Sequence, residues 1–182
     1  RLSSSGCLSI GTDNNSVAVN NTTGISLDGA NGYLAVSRTA ETFGFNRDSN
    51  GNVGRFFRSG TEVGAIHVTA SATTFVTSSD YRLKENVVAI SDGITRLKTL
   101  KPYRFNFKND TGTTVDGFLA HEVTAVPEAI TGTKDEVDSD NNPVYQGIDQ
   151  SKLVPLLTAA LQEAVTKIEV LETRLNNAGI AT

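Results

Sequence analysis

The sequence has no methionine and no tryptophan, only one cysteine and four prolines among its 182 residues. Lacking a methionine, the chain as written does not open at a start codon, and it is expected to be a fragment or one product of a longer chain. The lone Cys7 excludes an intrachain disulfide and leaves the redox compartment open. No apolar run approaches the ~18 residues that cross a bilayer, and no secretory pattern opens the chain, so membrane insertion is not expected. A net charge of −4 argues against the basic footprint of a nucleic-acid binder. The two histidines, His67 and His121, lie far apart, and no cysteine or carboxylate cluster has metal-ligand spacing. Neither a glycine-rich phosphate loop nor a G-x-S-x-G elbow occurs. No metal or other cofactor is expected, and His121 in "AHEV" reads as a packed core or surface residue. Hydrophobic residues make up 38% and aromatics 7%, enough for a modest core. Burial between identical subunits would add to it.

What is present falls into three regions. Residues 1–78 carry short apolar-polar alternations, "SVAVN", "GYLAVSR", "TFGFNR", "VGRFFRSG" and "GAIHVTA". They are divided by "DNNS", "DGANG" and "RDSNGNVG", rich in the residues that tight turns require. These short polar strands suit a shaft whose core forms when several chains wind together; an ordinary β-domain is the alternative. Residues 79–150 read as mixed. "SDGITRLKTL" has Ser91 as a capping residue and Ile94, Leu97 and Leu100 at helical spacing. "KPYRFNFKND" places Tyr103, Phe105 and Phe107 on one face of a strand. "VDGFLAHEV" is a strand or a strand-to-helix transition, and "GTKDEVDSDNNPVYQGID" a hairpin with its tip at 138–142.

The chain ends in a helix expected over 153–177. Apolar positions step by three and four from Val154 through Leu157, Leu161, Ala164, Ile168, Leu171, Leu175 and Ala178. That is a heptad with Val154, Leu161, Ile168 and Leu175 at a. Pro155 biases Val154 away from helix. Lys167 at g and Glu172 at the following e fit pairing between parallel neighbours, and Glu163 supports Lys167 within the helix. A parallel homotrimer is the expected assembly; packing of the helix on its own domain would give a similar, shorter stripe. The fold class is therefore α+β: a β-rich fibre segment, then a small mixed domain with a long C-terminal helix.

Between the first two regions the composition changes abruptly at "VTSSDYRLKENV". Ser79 is a nucleophile only if a base takes its proton. Lys84 is a candidate base if burial or a cationic neighbour such as Arg82 lowers its proton affinity. Five residues on a helix amount to about 140° of rotation, and on a strand to opposite faces ~16 Å apart. A tight turn, or a second subunit, must bring the pair together. On spacing alone, a solvated charged turn is the favoured reading.

The blocks "SSDYRLKENV", "GITRLKTLKPYRFNFK", "GFLAHEV" and "GIDQSKLVPLLTAALQEAVTKIEVLETRL" occur in this order over 79–182. They resemble the intramolecular chaperone auto-processing domain of phage tail spikes and tail fibres of the endosialidase type. The resemblance implies a domain that trimerises, templates folding of the preceding shaft as its client, and cuts itself off. It implies cleavage between Ser78 and Ser79, with Ser79 as nucleophile, Lys84 as general base, and Asp80, Arg82 and Asn86 in supporting roles. Each chain would cut once, in cis. The mature fibre would belong to the virion tail, where a host surface receptor is a further partner, and the chaperone would be released in the host cytoplasm. His121 departs from the pattern, where glutamine is expected. A trimeric fibre tip that binds a receptor without cutting is the competing reading, and a Ser/Lys hydrolase acting in trans is another.

Overall fold

The computed structural model describes residues 7–11, 18, 22–29 and 32–180. The chain divides into two compact units, Arg1–Glu85 and Asn86–Thr182. The first is built of two antiparallel three-stranded sheets. One joins β1 (Cys7–Ile10), β2 (Gly24–Asp28) and β3 (Tyr33–Ser37). The other joins β4 (Gly51–Arg58), β5 (Thr61–Val68) and β6 (Thr73–Thr77).

The strands follow the alternation of the sequence, and the turns follow its chemistry. Between β4 and β5 the chain reverses through Ser59 and Gly60, with φ of 49° and 80°. Two positive φ values suit the two-residue turn that matches strand twist. In the first sheet Ser9, Ser26 and Ala35 lie side by side across the strands and are buried. Leu8, Leu27 and Leu34 form the adjacent row, and all three are partly exposed. In the second sheet Ala65 is the buried apolar residue, whereas Phe56, Phe57, Val63 and Phe75 are exposed. Small side chains are thus covered and large ones are not, the reverse of a self-sufficient β-domain.

One expectation for this region changes. "TFGFNR" forms no strand: residues 41–47 are irregular, with Phe43 and Phe45 exposed and stacked at 6.0 Å. An alternating pattern makes a strand only where a neighbour takes its backbone hydrogen bonds, and none of the sheets includes this segment. "SVAVN" and "DNNS" lie outside the described residues apart from Ala18, a turn residue. Strands β1, β2 and β6 were not singled out by the sequence pattern.

The second unit assembles around α2 (Val154–Asn177). Leu153, at its N-cap, and Leu156 pack with Val123, Val126 and Ala129 into a small apolar core, bordered by Leu100, Phe118 and Ile148. Pro155 sits in the first turn, where its missing N–H breaks no bond, and Val154 is helical despite preceding it. The short helix α1 (Gly93–Leu97) lies against α2. Its N-cap is Asp92, without a side-chain cap bond, so Ser91 does not cap it. The cap comes from α2 instead: the Glu163 carboxylate accepts from Ile94 N at 3.0 Å. Gly93 makes this approach possible, since a Cβ there would lie 2.5 Å from Ala160 N and 2.7 Å from Ala159 C.

Strand β7 (Tyr103–Phe107), as expected, is a strand, and it pairs antiparallel with β8 (Asp110–Gly117) in a hairpin. Residues 120–122 turn as a 3₁₀ helix, so "VDGFLAHEV" is a strand-to-helix transition. Strands β9 (Ile130–Thr131) and β10 (Gly147–Ile148) pair antiparallel. They close the hairpin whose tip Asp138 organises by accepting from Asp140 N and Asn142 N.

Candidate functional site: the Ser79–Lys84 turn

Strand β6 ends at Thr77. Ser78, next in the chain, lines a cavity of about 320 Å³ with Glu62, Gly64, Ala65 and Val76. Ser79 is exposed. Residues 81–83 then wind one turn of 3₁₀ helix. The turn exists because Asp80 caps it: Oδ1 accepts from Arg82 N at 2.9 Å. Leu83 N and Lys84 N close it on the carbonyls of Asp80 and Tyr81.

This tight turn does what neither a regular helix nor a strand does. It brings Lys84 Nζ back to Ser79 Oγ, to which it donates at 2.8 Å. Both residues belong to one chain, so a second subunit is not needed for this contact.

Arg82 stands elsewhere than expected. Its Nε donates to Asp80 Oδ1 at 2.9 Å and its Nη2 to Oδ2 at 2.7 Å, a two-pronged ion pair. The guanidinium holds the Asp80 carboxyl below its usual range, the Arg82 N–H adds to this, and the Lys84 charge contributes further. The same pair raises Arg82. Arg82 is therefore not a free cation beside Lys84, because its charge is matched by Asp80. Asn86 adopts a left-handed backbone, φ 52°, which asparagine tolerates better than most residues.

Tyr81, Leu83, Val87 and Val88 are each more than two-thirds exposed. A run of large apolar side chains around a charged turn is unusual for a surface loop. The heptad positions of α2 are open as well: Leu157, Leu161, Ile168, Leu171 and Leu175 are exposed, and Ala164 is half-buried. The buried side of the helix flanks this stripe, with Leu156 and Ala160. Lys167 pairs within its own helix to Glu163 at 2.7 Å.

Several contacts were not legible in the sequence. Glu163 joins α1 to α2, and Tyr103 OH donates to Glu122 Oε2 at 2.7 Å, with Lys101 at 3.3 Å from the same carboxylate. His67 faces Asn52 across the sheet, Nδ1 to Oδ1 at 3.0 Å, a packing role. His121 is exposed in its 3₁₀ turn. Among the described residues no group of three or more His, Cys, Asp or Glu is arranged to hold a metal ion, and no helix is long and apolar enough to cross a membrane.

No curated protein matches the chain. Residues 79–131 match the family model described as chaperone of endosialidase, a peptidase family. The matched segment opens at Ser79 and ends before α2. It is the family that the sequence blocks from Ser79 onward resemble.

Proposed function

We propose that residues 79–182 are an intramolecular chaperone that trimerises, templates the folding of residues 1–78, and then releases itself by cutting between Ser78 and Ser79. The observation that carries the reading is the Lys84 Nζ to Ser79 Oγ contact of 2.8 Å, made within one turn of the chain.

The chemistry follows from the position of the bond. Ser79 Oγ attacks the carbonyl carbon of Ser78, one residue back, and forms an ester as the C–N bond to Ser79 breaks. Lys84, as the neutral amine, takes the Oγ proton and returns it to the departing Ser79 nitrogen. Water then hydrolyses the ester, leaving a carboxylate on Ser78 and a free amine on Ser79. Nucleophile and carbonyl are held in the same chain, so proximity supplies much of the acceleration. A base accepts from serine whereas an ammonium donates to it. The 2.8 Å contact serves this step when Lys84 is the neutral amine. The event occurs once per chain.

Assembly is supported by what a single chain leaves uncovered. Large side chains of both β-sheets are exposed while small ones are buried, as expected of a shaft completed by neighbours. Leu157, Leu161, Ile168, Leu171 and Leu175 of α2 form an open apolar stripe beside the face already used. At its N-terminal end Leu157 joins a groove of about 490 Å³ lined by Leu97, Leu100, Pro102 and Phe118. A parallel homotrimer closes such a stripe. On this reading the mature fibre sits in the virion tail, with a host surface receptor as its later partner, and the chaperone stays in the host cytoplasm.

The test is mass spectrometry of the denatured chain. Wild type should give fragments 1–78 and 79–182, the second beginning at Ser79. Ser79→Ala and Lys84→Ala should each remain full length while keeping the fold. A new terminus at Thr77 or Asp80 would overturn the residue assignment. A wild-type chain intact after long incubation would leave the non-cleaving fibre tip as the reading.

A further inference from the structure

Two cations and one carboxylate compete within the turn. Arg82 occupies both oxygens of Asp80, by three hydrogen bonds if its backbone N–H is counted. Lys84 is directed to Ser79 instead, although its charge still acts on Asp80. Tyr81 and Glu85 are the other titratable side chains of the segment, and both are exposed. The outcome of the competition matters for the reaction, because an ammonium paired to a carboxylate resists losing its proton. A base at Ser79 must have lost it.

We propose that Arg82 is a positioning residue for self-cleavage: by holding both oxygens of Asp80 it keeps that carboxylate off Lys84, so that Lys84 can shed the proton a base must lack. This rests on Ser79 and Lys84 being nucleophile and base. The planar guanidinium suits the task because it engages a carboxylate with two parallel bonds. A lysine at 82 would offer a point charge that Asp80 could share with Lys84. Asp80 has two effects that can be separated. Its Oδ1 caps the turn, which an asparagine oxygen can also do, and its charge acts on Lys84, which asparagine removes.

The experiment measures the cleavage rate of the full chain, made by translation in vitro, across a pH series. Ser79→Ala serves as the uncut control, and light scattering checks assembly. The rate of the wild type should rise through a basic limb. In Arg82→Gln that limb should move to higher pH by about one unit, roughly tenfold slower at a fixed pH on the limb. Adding Asp80→Asn to Arg82→Gln should bring the limb back to the wild-type position or below. Arg82→Lys should shift it in the same direction by less, and it replaces Arg82→Gln in the comparison if the latter does not assemble. A limb unmoved in both Arg82 variants overturns the proposal. So does a double variant as slow as Arg82→Gln at every pH, since removing the Asp80 charge should return the limb. A wild-type chain that never cuts overturns the underlying reading, and this inference with it. A wild type that cuts while the limb stays fixed overturns this inference alone.

Discussion

Replacing Leu161 and Ile168 together by aspartate separates the fold of the chain from its assembly. The two side chains are 66% and 54% exposed, so in a single chain the new carboxylates stand in water. The direct cost to the helix is its propensity, about 0.7 kcal/mol or less per substitution. The anchoring face of Leu153 and Leu156 against Val123, Val126 and Ala129 is untouched. In a trimer the balance differs. Burying a Leu or Ile fully is worth about 1.5–3 kcal/mol. More than half of that surface is still open at these positions, so each contributes about 1 kcal/mol or more per subunit on association. The variant forfeits this gain in two layers and places three like charges in each. An unpaired carboxylate in an apolar seam costs several kcal/mol more, and every 1.4 kcal/mol is about tenfold in affinity. Light scattering should therefore give the monomer mass while circular dichroism retains the helical signal, and cleavage at Ser78–Ser79 should slow. A persistent trimer would refute the seam. A collapsed helical signal would refute the assignment of this face as the outward one.

Gly93→Ala tests the close approach of α1 to α2. Alanine normally favours a helix over glycine by about 1 kcal/mol, but its Cβ would meet backbone atoms of Ala159 and Ala160 at 2.5–2.8 Å. Overpacking of this kind costs about 1–3 kcal/mol, so a lower urea midpoint is expected. Gly112→Ala, with its nearest atom at 3.9 Å, should leave it in place. For Glu163, the Ile94 N–H and then Lys167 lower the carboxyl below its ordinary value. Its stabilising effect is therefore full above the ordinary glutamate range and is lost as pH falls through the lowered value. The stability gap between wild type and Glu163→Gln should be constant near neutrality and close in acid; a gap independent of pH would refute the cap. Finally, 1–78 expressed alone should not reach the assembled state. Ordering the backbone costs about 1–2 kcal/mol per residue, and few apolar groups among the described residues of this region are buried within one chain. Equal protease and SDS resistance of this segment made with and without 79–182 would show that the chaperone is not a template.

Local patterns carried the elements whose stability is local. Strands β4 and β5, the Tyr103–Phe107 strand and the C-terminal helix were legible because alternation and a heptad act over neighbouring positions. The serine and lysine of the site were legible as residue types and as part of a family resemblance, and the match over 79–131 agrees with it. What the sequence could not settle was which partner each group would take. "TFGFNR" alternates like a strand, yet stays irregular because a strand depends on a neighbour for its hydrogen bonds. Ser91 is a good capping residue by type, but Glu163, distant in sequence, reaches the helix first. Arg82 and Lys84 are two cations beside one carboxylate, and spacing alone does not rank them. The 3₁₀ turn does: it gives Asp80 to the planar guanidinium and directs Lys84 to Ser79. Composition and periodicity fix what each segment can form, whereas hydrogen bonds and charges are assigned by distances that exist only once the chain has turned back on itself.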